Sequence, residues 1–213
     1  MKGFTHIPTT DVMRENLLNN GWGFLITPGC TSSLKLIPED TEVFLDNGAW
    51  MAHKQGKTLN EDKFIRCLYQ HHERVSWYVL PDIVEGGLRS LSLSLHWLEE
   101  LRWAQAEPAL AVQDGIQPEH LDNLPVNIFI GGSTRYKERS MKMWADYAHK
   151  HGKFCHVGRV NTRRRMRICM RAYVDSFDGS GAAQSKKQNE RSIRHLNEVI
   201  ADGERLGSFV WWG

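Results

Sequence analysis

The chain has 213 residues, of which 41% are hydrophobic and 24% are charged, and its formal net charge is +2. This composition excludes a disordered polypeptide, and no apolar run reaches the roughly 20 residues that a membrane-spanning helix needs. We therefore expect one domain over residues 1–213 without membrane association. The polar N-terminus has no apolar signal-peptide core, which predicts a cytoplasmic protein.

The first half of the chain alternates helical patterns with apolar, β-prone runs. The pattern predicts a helix over 11–20, which stops at Gly21, and strands at GFLIT and VFLD. A helix follows from about Asn60, a suitable N-cap, and then the strand VSWYVL. A long helix comes after Gly86-Gly87, and the three-to-four spacing of its leucines predicts that they lie in the core.

The second half continues the alternation. It predicts the strand ALAV, a short helix over 118–124, the strand NIFI, a helix ending at Gly152 and the strand FCHV. A basic helix capped by Thr162, a strand over 173–177 and a final helix from Asn189 complete the order. Seven strands alternating with helices predict a parallel sheet with crossover helices, either a (β/α) barrel or a doubly wound sheet.

Polar residues follow most of these strands directly. The strand ends carry Asp46, Asp82, Gln113, the Gly131-Gly132 turn, Gly158-Arg159 and Asp178. Any one of them taken alone is typical of a turn or a helix cap. Together they favour the barrel, because all strand ends of a barrel converge on one face, whereas an open sheet gathers ligands around one crevice.

Three carboxylates, those of Asp46, Asp82 and Asp178, follow apolar runs in this way. Carboxylates crowded at one barrel mouth repel each other, so their pKa values are expected to move apart. Such a difference suits a nucleophile paired with a general acid/base, which is what retaining glycosyl transfer needs. These residues alone do not distinguish glycosyl transfer from the other reactions that (β/α) barrels catalyse.

Several segments resemble the ordered motifs of the tRNA-guanine transglycosylases. The segments are DNGAW, LPDIV, AVQDG, IFIGGS and the stretch HVGRVNTRRRMRICMRAYVDSFDGSG. They match that family's early Asp-Gly motif, its base-reading aspartate, its Gln-Gly and Gly-Gly turns, the glycine after the next strand, and the Phe-Asp motif of its nucleophile. The matches keep the family's order over roughly residues 43–183.

The resemblance implies a role for each matching position. Asp178 would be the nucleophile and Asp46 the general acid/base, while Asp82 would bind the Watson–Crick edge of the purine. Gln113 and the backbone N–H of Gly132, in the Gly131-Gly132 turn, would contact the carbonyl oxygen of the base. Gly158 would let the base lie close to the backbone. Asp175 remains open as an alternative nucleophile.

The chain also departs from the tRNA enzymes, which are longer and carry a zinc site of clustered cysteines and a histidine. Nothing after Cys169 supplies such a cluster, so we expect a compact, short and therefore irregular (β/α)8-type TIM barrel without a zinc subdomain, a metal or a cofactor. The chain is more similar to the short viral and bacterial relatives that place 7-deazaguanines in DNA. The implied partners are DNA, or alternatively tRNA, and a free 7-deazaguanine base. The small size suits a phage genome, with the protein in the host cytoplasm.

A basic run borders the expected barrel mouth. Six arginines and no acid occur from Arg159 to Arg171, and Lys186 and Lys187 follow. Such a run is ordinarily a solvated helix face. Because it leads into the nucleophile strand, we expect phosphate contacts from the mouth-side residues, namely Arg159, Arg163, Arg164, Lys186 and Lys187.

Two alternative functions remain open. A base-releasing N-glycosidase would use the same carboxylates with water as the acceptor, and a catalytically inactive barrel would only bind nucleic acid. The C-terminal Trp211-Trp212 pair is expected to close the barrel's apolar end, with stacking on bases as the alternative. The sequence assigns no oligomeric state, no sequence context and no particular deazaguanine.

Overall fold

The computed structural model describes residues 1–205, which form a closed barrel of eight parallel strands in chain order. The strands are β1 (Lys2–His6), β2 (Gly23–Ile26), β3 (Val43–Leu45), β4 (Trp77–Val79), β5 (Glu107–Val112), β6 (Asn127–Ile130), β7 (Cys155–Val157) and β8 (Ser176–Asp178). Pairing of β1 with β8, with Phe4 opposite Asp178, closes the barrel. The predicted (β/α)8 barrel is confirmed, and the doubly wound alternative is wrong, since its sheet is open.

Helices cover the outside of the barrel. They are α1 (Asp11–Asn19), α2 (Ala49–Lys54), α3 (Glu61–His71), α4 (Leu88–Glu100), α5 (Thr134–Lys150), α6 (Arg163–Arg171), α7 (Gly181–Gln184) and α8 (Lys186–Arg205). Two crossovers, β2 to β3 and β5 to β6, contain only the short 3-10 helices Ser32–Leu36 and Pro118–Leu121. These two abbreviated units make the barrel irregular and explain how so short a chain closes it.

The N-terminal strand was not predicted. Within β1, only Phe4 is a large apolar residue, so the segment KGFTH shows no apolar run. The strand forms because β2 and β8 pair with it on both edges. The sequence therefore predicted seven strands where the structure has eight.

Two other boundaries differ from prediction. The strand predicted over 173–177 is β8, which begins only at Ser176, because Tyr173 adopts a positive φ of 59° in the turn after α6. The final helix, predicted from Asn189, begins at Lys186, where the hydroxyl of Ser185 accepts a hydrogen bond from the N–H of Gln188. The N-cap roles predicted for Asn60 and Thr162 are confirmed.

The core has two parts. The barrel interior holds an aromatic layer in which Phe44 and Trp77 stack with ring centroids 3.9 Å apart, and Phe4 and Phe129 pack around the buried His156. The larger part lies between strands and helices. The leucines of α4 only partly follow the prediction, since Leu91 is buried but Leu88 is 54% exposed.

None of the described helices is long and apolar enough to cross a lipid bilayer. Trp211 and Trp212, for which a role at the barrel end was predicted, lie outside the described residues.

Candidate active site

The aromatic layer fills the lower part of the barrel and leaves a cavity of about 330 Å³ at the mouth formed by the strand C-termini. Its lining includes Asp46, Asp82, Gln113, Gly131, Gly132, Arg159 and Asp178, together with His6, Asn47, Trp50 and Phe129. The cavity is within the size range of small-molecule sites. The structure thus brings the three carboxylates singled out in the sequence to one chamber.

Asp178 is the last residue of β8 and is mostly buried, with 12% of its side chain exposed. The backbone N–H of Arg159 donates to its Oδ2 over 3.2 Å. His156 Nε2 lies 3.3 Å from the same oxygen, and His156 Nδ1 lies 2.8 Å from the hydroxyl of Ser176. The carboxylate is therefore held from two sides and opens to the cavity.

Asp46 follows β3 and begins a tight turn. Its carboxylate accepts a hydrogen bond from the N–H of Gly48 over 2.7 Å. Burial raises the pKa of Asp46 to about 7, a change that the negative charges of Asp178 and Asp82 reinforce and the Gly48 hydrogen bond opposes. Near neutral pH this carboxyl is therefore present in both protonation states, as a group that gives and takes a proton should be.

Asp82 lies beside Asp46 in a network of amides. Asn47 Nδ2 donates to Asp82 Oδ1 over 2.7 Å and to the carbonyl of Leu80. Burial raises the pKa of Asp82 to about 6, and the hydrogen bond from Asn47 limits the rise. At neutral pH Asp82 is thus mainly an ionised acceptor for N–H donors.

Gln113 is buried, and its amide nitrogen is engaged by the protein. Nε2 donates to the carbonyl of Ile83 over 2.8 Å and to Ser90 Oγ over 2.7 Å. Its Oε1 has no hydrogen-bond partner among residues 1–205. Nε2 also lies 3.4 Å from Asp82 Oδ2. The side-chain amide nitrogen is therefore committed to protein partners, whereas the expected contact with a carbonyl oxygen of the base requires a free donor.

The Gly131-Gly132 turn follows β6. Gly132 has a positive φ of 72°, and a Cβ there would collide with the carboxylate of Asp114. Asp114 in turn accepts hydrogen bonds from the N–H and hydroxyl of Ser133. Glycine is therefore required at 132 for the turn to form at the cavity wall.

Gly158 follows β7 and lies behind the cavity wall. A Cβ on it would approach the Phe129 ring to 2.7 Å and Asp178 Oδ2 to 3.4 Å. The missing side chain makes room for Phe129 and for the carboxylate of Asp178. The structure thus gives this glycine a packing reason in addition to the expected approach of a base.

Arg159, predicted to bind phosphate, points into the cavity. Its guanidinium carbon lies 3.8 Å from the ring centroid of Trp50, and Nη2 donates to the carbonyl of Gly132 over 2.6 Å. Its backbone has a positive φ of 63°. The structure therefore places Arg159 in the wall of the site, beside Asp178, rather than on the outer rim.

The other predicted phosphate ligands lie at helix N-termini on the mouth side. Arg163 pairs with Glu198 and Arg164 forms two hydrogen bonds with Glu138. Lys186 and Lys187 are exposed and form no ion pair with the described residues. The two lysines are therefore more accessible to an anion than the two arginines.

Asp175 lies at the opposite end of the barrel from the cavity. Its carboxylate contacts His149 Nε2 at 2.9 Å and accepts a hydrogen bond from the N–H of Cys155 over 2.7 Å. It precedes β8, whereas Asp178 ends it. The geometry favours Asp178 over Asp175 as the residue that can reach a ligand.

Several residues in or directly behind the cavity wall were missed in the sequence, among them Asn47 and Trp50 in the wall and Lys137 and His156 behind it. A signal existed for Lys137, which lies one helical turn before Met141 on the buried face of α5. His156 is the central residue of the three-residue strand β7, and alternation directs it into the barrel. Asn47 and Trp50 follow Asp46 but carry no pattern of their own.

Among residues 1–205, no three His, Cys, Asp or Glu side chains are grouped so as to hold a metal ion. A scan against models of protein families finds no match to the chain, and a search of curated proteins finds no significant match.

Proposed function

We propose that the protein is a base-exchanging glycosylase that replaces guanine in a nucleic acid, DNA rather than tRNA, with a 7-deazaguanine. One observation carries the proposal. Asp178 is held in place by the N–H of Arg159 and by its contact with His156 Nε2, and it faces the same cavity as Asp46, whose pKa of about 7 suits proton transfer. A fixed carboxylate and a separate acid/base are the two groups that retaining glycosyl transfer requires.

The reaction follows from these two groups. A carboxylate oxygen of Asp178 attacks the anomeric carbon C1′, while the bond from C1′ to guanine breaks and its electron pair leaves with the base. The neutral Asp46 carboxyl gives its proton to the departing guanine. The Asp46 carboxylate then removes a proton from the incoming base, whose nitrogen attacks C1′ and releases Asp178. The sugar–phosphate chain stays intact throughout.

The cavity also supports recognition of a guanine-like edge. Asp82 lines the cavity and is mainly ionised at neutral pH. A carboxylate acceptor suits the adjacent ring N–H and amino donors of guanine and of 7-deazaguanines. Arg159 and the Gly131-Gly132 turn also line the cavity, and the donor for the base's carbonyl oxygen would come from them.

Binding of a polymer is supported by charge at the mouth. The N-termini of α6 and α8 lie on the cavity side, because helices of this barrel run back against the strands. Lys186 and Lys187 are exposed there. A base within a duplex would have to be flipped out to reach the cavity.

The test is exchange of radiolabelled guanine, and separately of a labelled 7-deazaguanine, into DNA and into tRNA by the purified protein. Asp178→Asn serves as the matched control. Incorporation without abasic sites supports the proposal, while abasic sites without incorporation point to a hydrolase. Binding with neither product would leave an inactive nucleic-acid-binding barrel. Mass spectrometry of nucleosides from expressing cells then identifies the base inserted.

A further inference from the structure

Lys137 is a buried cation outside the cavity. It belongs to α5, is 3% exposed, and lies on the helix face that packs against the barrel with Met141 and Trp144. Its Nζ donates to the carbonyl oxygen of Gly158 over 2.6 Å, its single hydrogen-bond partner in the described part of the chain. Burying an ammonium group with one neutral acceptor costs free energy that an apolar side chain would not.

The acceptor belongs to the peptide group that holds Asp178. The carbonyl of Gly158 and the N–H of Arg159 are the two ends of one amide, and that N–H donates to Asp178 Oδ2 over 3.2 Å and to Oδ1 over 3.3 Å. The ammonium of Lys137 is thus connected to the carboxylate of Asp178 through a single planar group. A cation on the carbonyl side polarises an amide and strengthens the hydrogen bond that its N–H donates.

The backbone of Arg159 has an unfavourable conformation that contacts with its neighbours must stabilise. Arg159 has a φ of 63°, which non-glycine residues seldom adopt. Such a conformation persists where surrounding contacts determine it. Lys137 fixes the carbonyl end of this peptide, and the Arg159 side chain fixes the other end through Trp50 and the Gly132 carbonyl.

The buried position of Lys137 lowers the pKa of its ammonium group. Burial lowers its pKa to about 8, and the positive charge of Arg159 acts in the same direction, while the negative charge of Asp178 opposes it. At neutral pH the ammonium form still predominates. Lys137 therefore places a positive charge behind the peptide that contacts Asp178.

We propose that Lys137 is a positioning residue that acts on Asp178 through the peptide between Gly158 and Arg159, aiming and stabilising the ionised carboxylate for attack. Its importance for catalysis rests on the proposed function, whereas the link from Lys137 to the Arg159 N–H does not. Lys137 itself touches no substrate.

The first measurement needs no activity. The Arg159 amide proton is observed by NMR in wild type, in Lys137→Met and in Lys137→Gln, which keeps a donor without the charge. Lys142→Met is the matched control, because Lys142 lies on the same helix but is exposed and pairs with Asp146. We expect the amide proton to move upfield and to exchange faster with solvent in Lys137→Met, less so in Lys137→Gln, and to stay in place in Lys142→Met.

The second measurement is the rate of covalent adduct formation with a guanine-containing oligonucleotide, beside the dissociation constant of that oligonucleotide. Misplacement of a nucleophile costs roughly 10–100-fold in rate. We expect this loss in Lys137→Met with a dissociation constant close to that of wild type. An unchanged Arg159 resonance in a folded variant would overturn the proposal, as would an unchanged adduct rate. A shifted resonance in a protein that forms no adduct even as wild type would refute the proposed function and leave the link standing.

Discussion

The negative charge of Asp46 is expected to destabilise the folded protein as pH rises. Burial raises the pKa of this carboxyl from 3.8 to about 7. Below about pH 4 the carboxyl is neutral in the folded and in the unfolded protein. Between about pH 4 and pH 7 the unfolded chain loses this proton while the folded protein keeps it. Stability therefore falls through this window by about 1.4 kcal/mol per pH unit, to an upper limit of about 4 kcal/mol, which water in the cavity reduces.

The variant Asp46→Asn isolates this effect, since it keeps an oxygen for the Gly48 N–H but does not titrate. Urea unfolding of wild type and variant, followed from about pH 4 to 8.5, should give a difference in unfolding free energy that grows from near zero to a few kcal/mol in favour of the variant and levels off above about pH 7. The control is Asp40→Asn, at an exposed position in the turn before β3. A stability difference that stays constant over this pH range would refute the reasoning. The same variant is expected to exchange bases about 10²–10⁴-fold more slowly.

Three further predictions concern base selection, the rim and metal. Asp82→Ala should lower kcat/KM for guanine far more than for a purine without the amino group, because it removes the acceptor for ring donors; an equal loss for both bases would contradict this role. Replacing Lys186 and Lys187 with Ala should weaken DNA binding and reduce the slope of log affinity against log salt by about 2. The same change at Arg163 and Arg164 should have a smaller effect, because both are already ion-paired. If both double variants keep the salt dependence of wild type, these four residues do not contact phosphates and are an ordinary solvent-exposed basic surface. Elemental analysis of purified protein should find no stoichiometric zinc, and one zinc per chain would show that prediction wrong.

The barrel itself was predictable because alternation of apolar strands with helices survives even in a short chain. The exception was β1, whose central residues Gly3, Phe4 and Thr5 are buried because the strand pairs with partners on both edges rather than because of an apolar run of its own. Of the two 3-10 crossovers, Pro118–Leu121 lies within the short helix predicted over 118–124, whereas Ser32–Leu36 was not predicted. That five-residue segment is too short to show a helical period.

The carboxylates of the site were predictable for the same reason that their strands were. Asp46 directly follows the apolar strand VFL, and Asp178 directly follows the strand predicted over 173–177, so the strand pattern that predicts the barrel also places them at its mouth. The orientation of Arg159 was not, because it depends on a positive φ and on a stacking contact with Trp50. The ion pairs of Arg163 and Arg164 with acids of α8 and α5 are likewise long-range and do not appear in a local charge pattern.

The central claim is that Asp178 forms a bond to the sugar, and trapping that bond tests it most directly. Wild-type protein incubated with a guanine-containing oligonucleotide should give an adduct that survives denaturation and is released by hydroxylamine, as an ester is. Asp178→Asn should give none and should not exchange guanine, while Asp175→Asn, at the other end of β8, should give the adduct normally. Exchange by Asp178→Asn at close to the wild-type rate, or an adduct lost only in Asp175→Asn, would contradict the account.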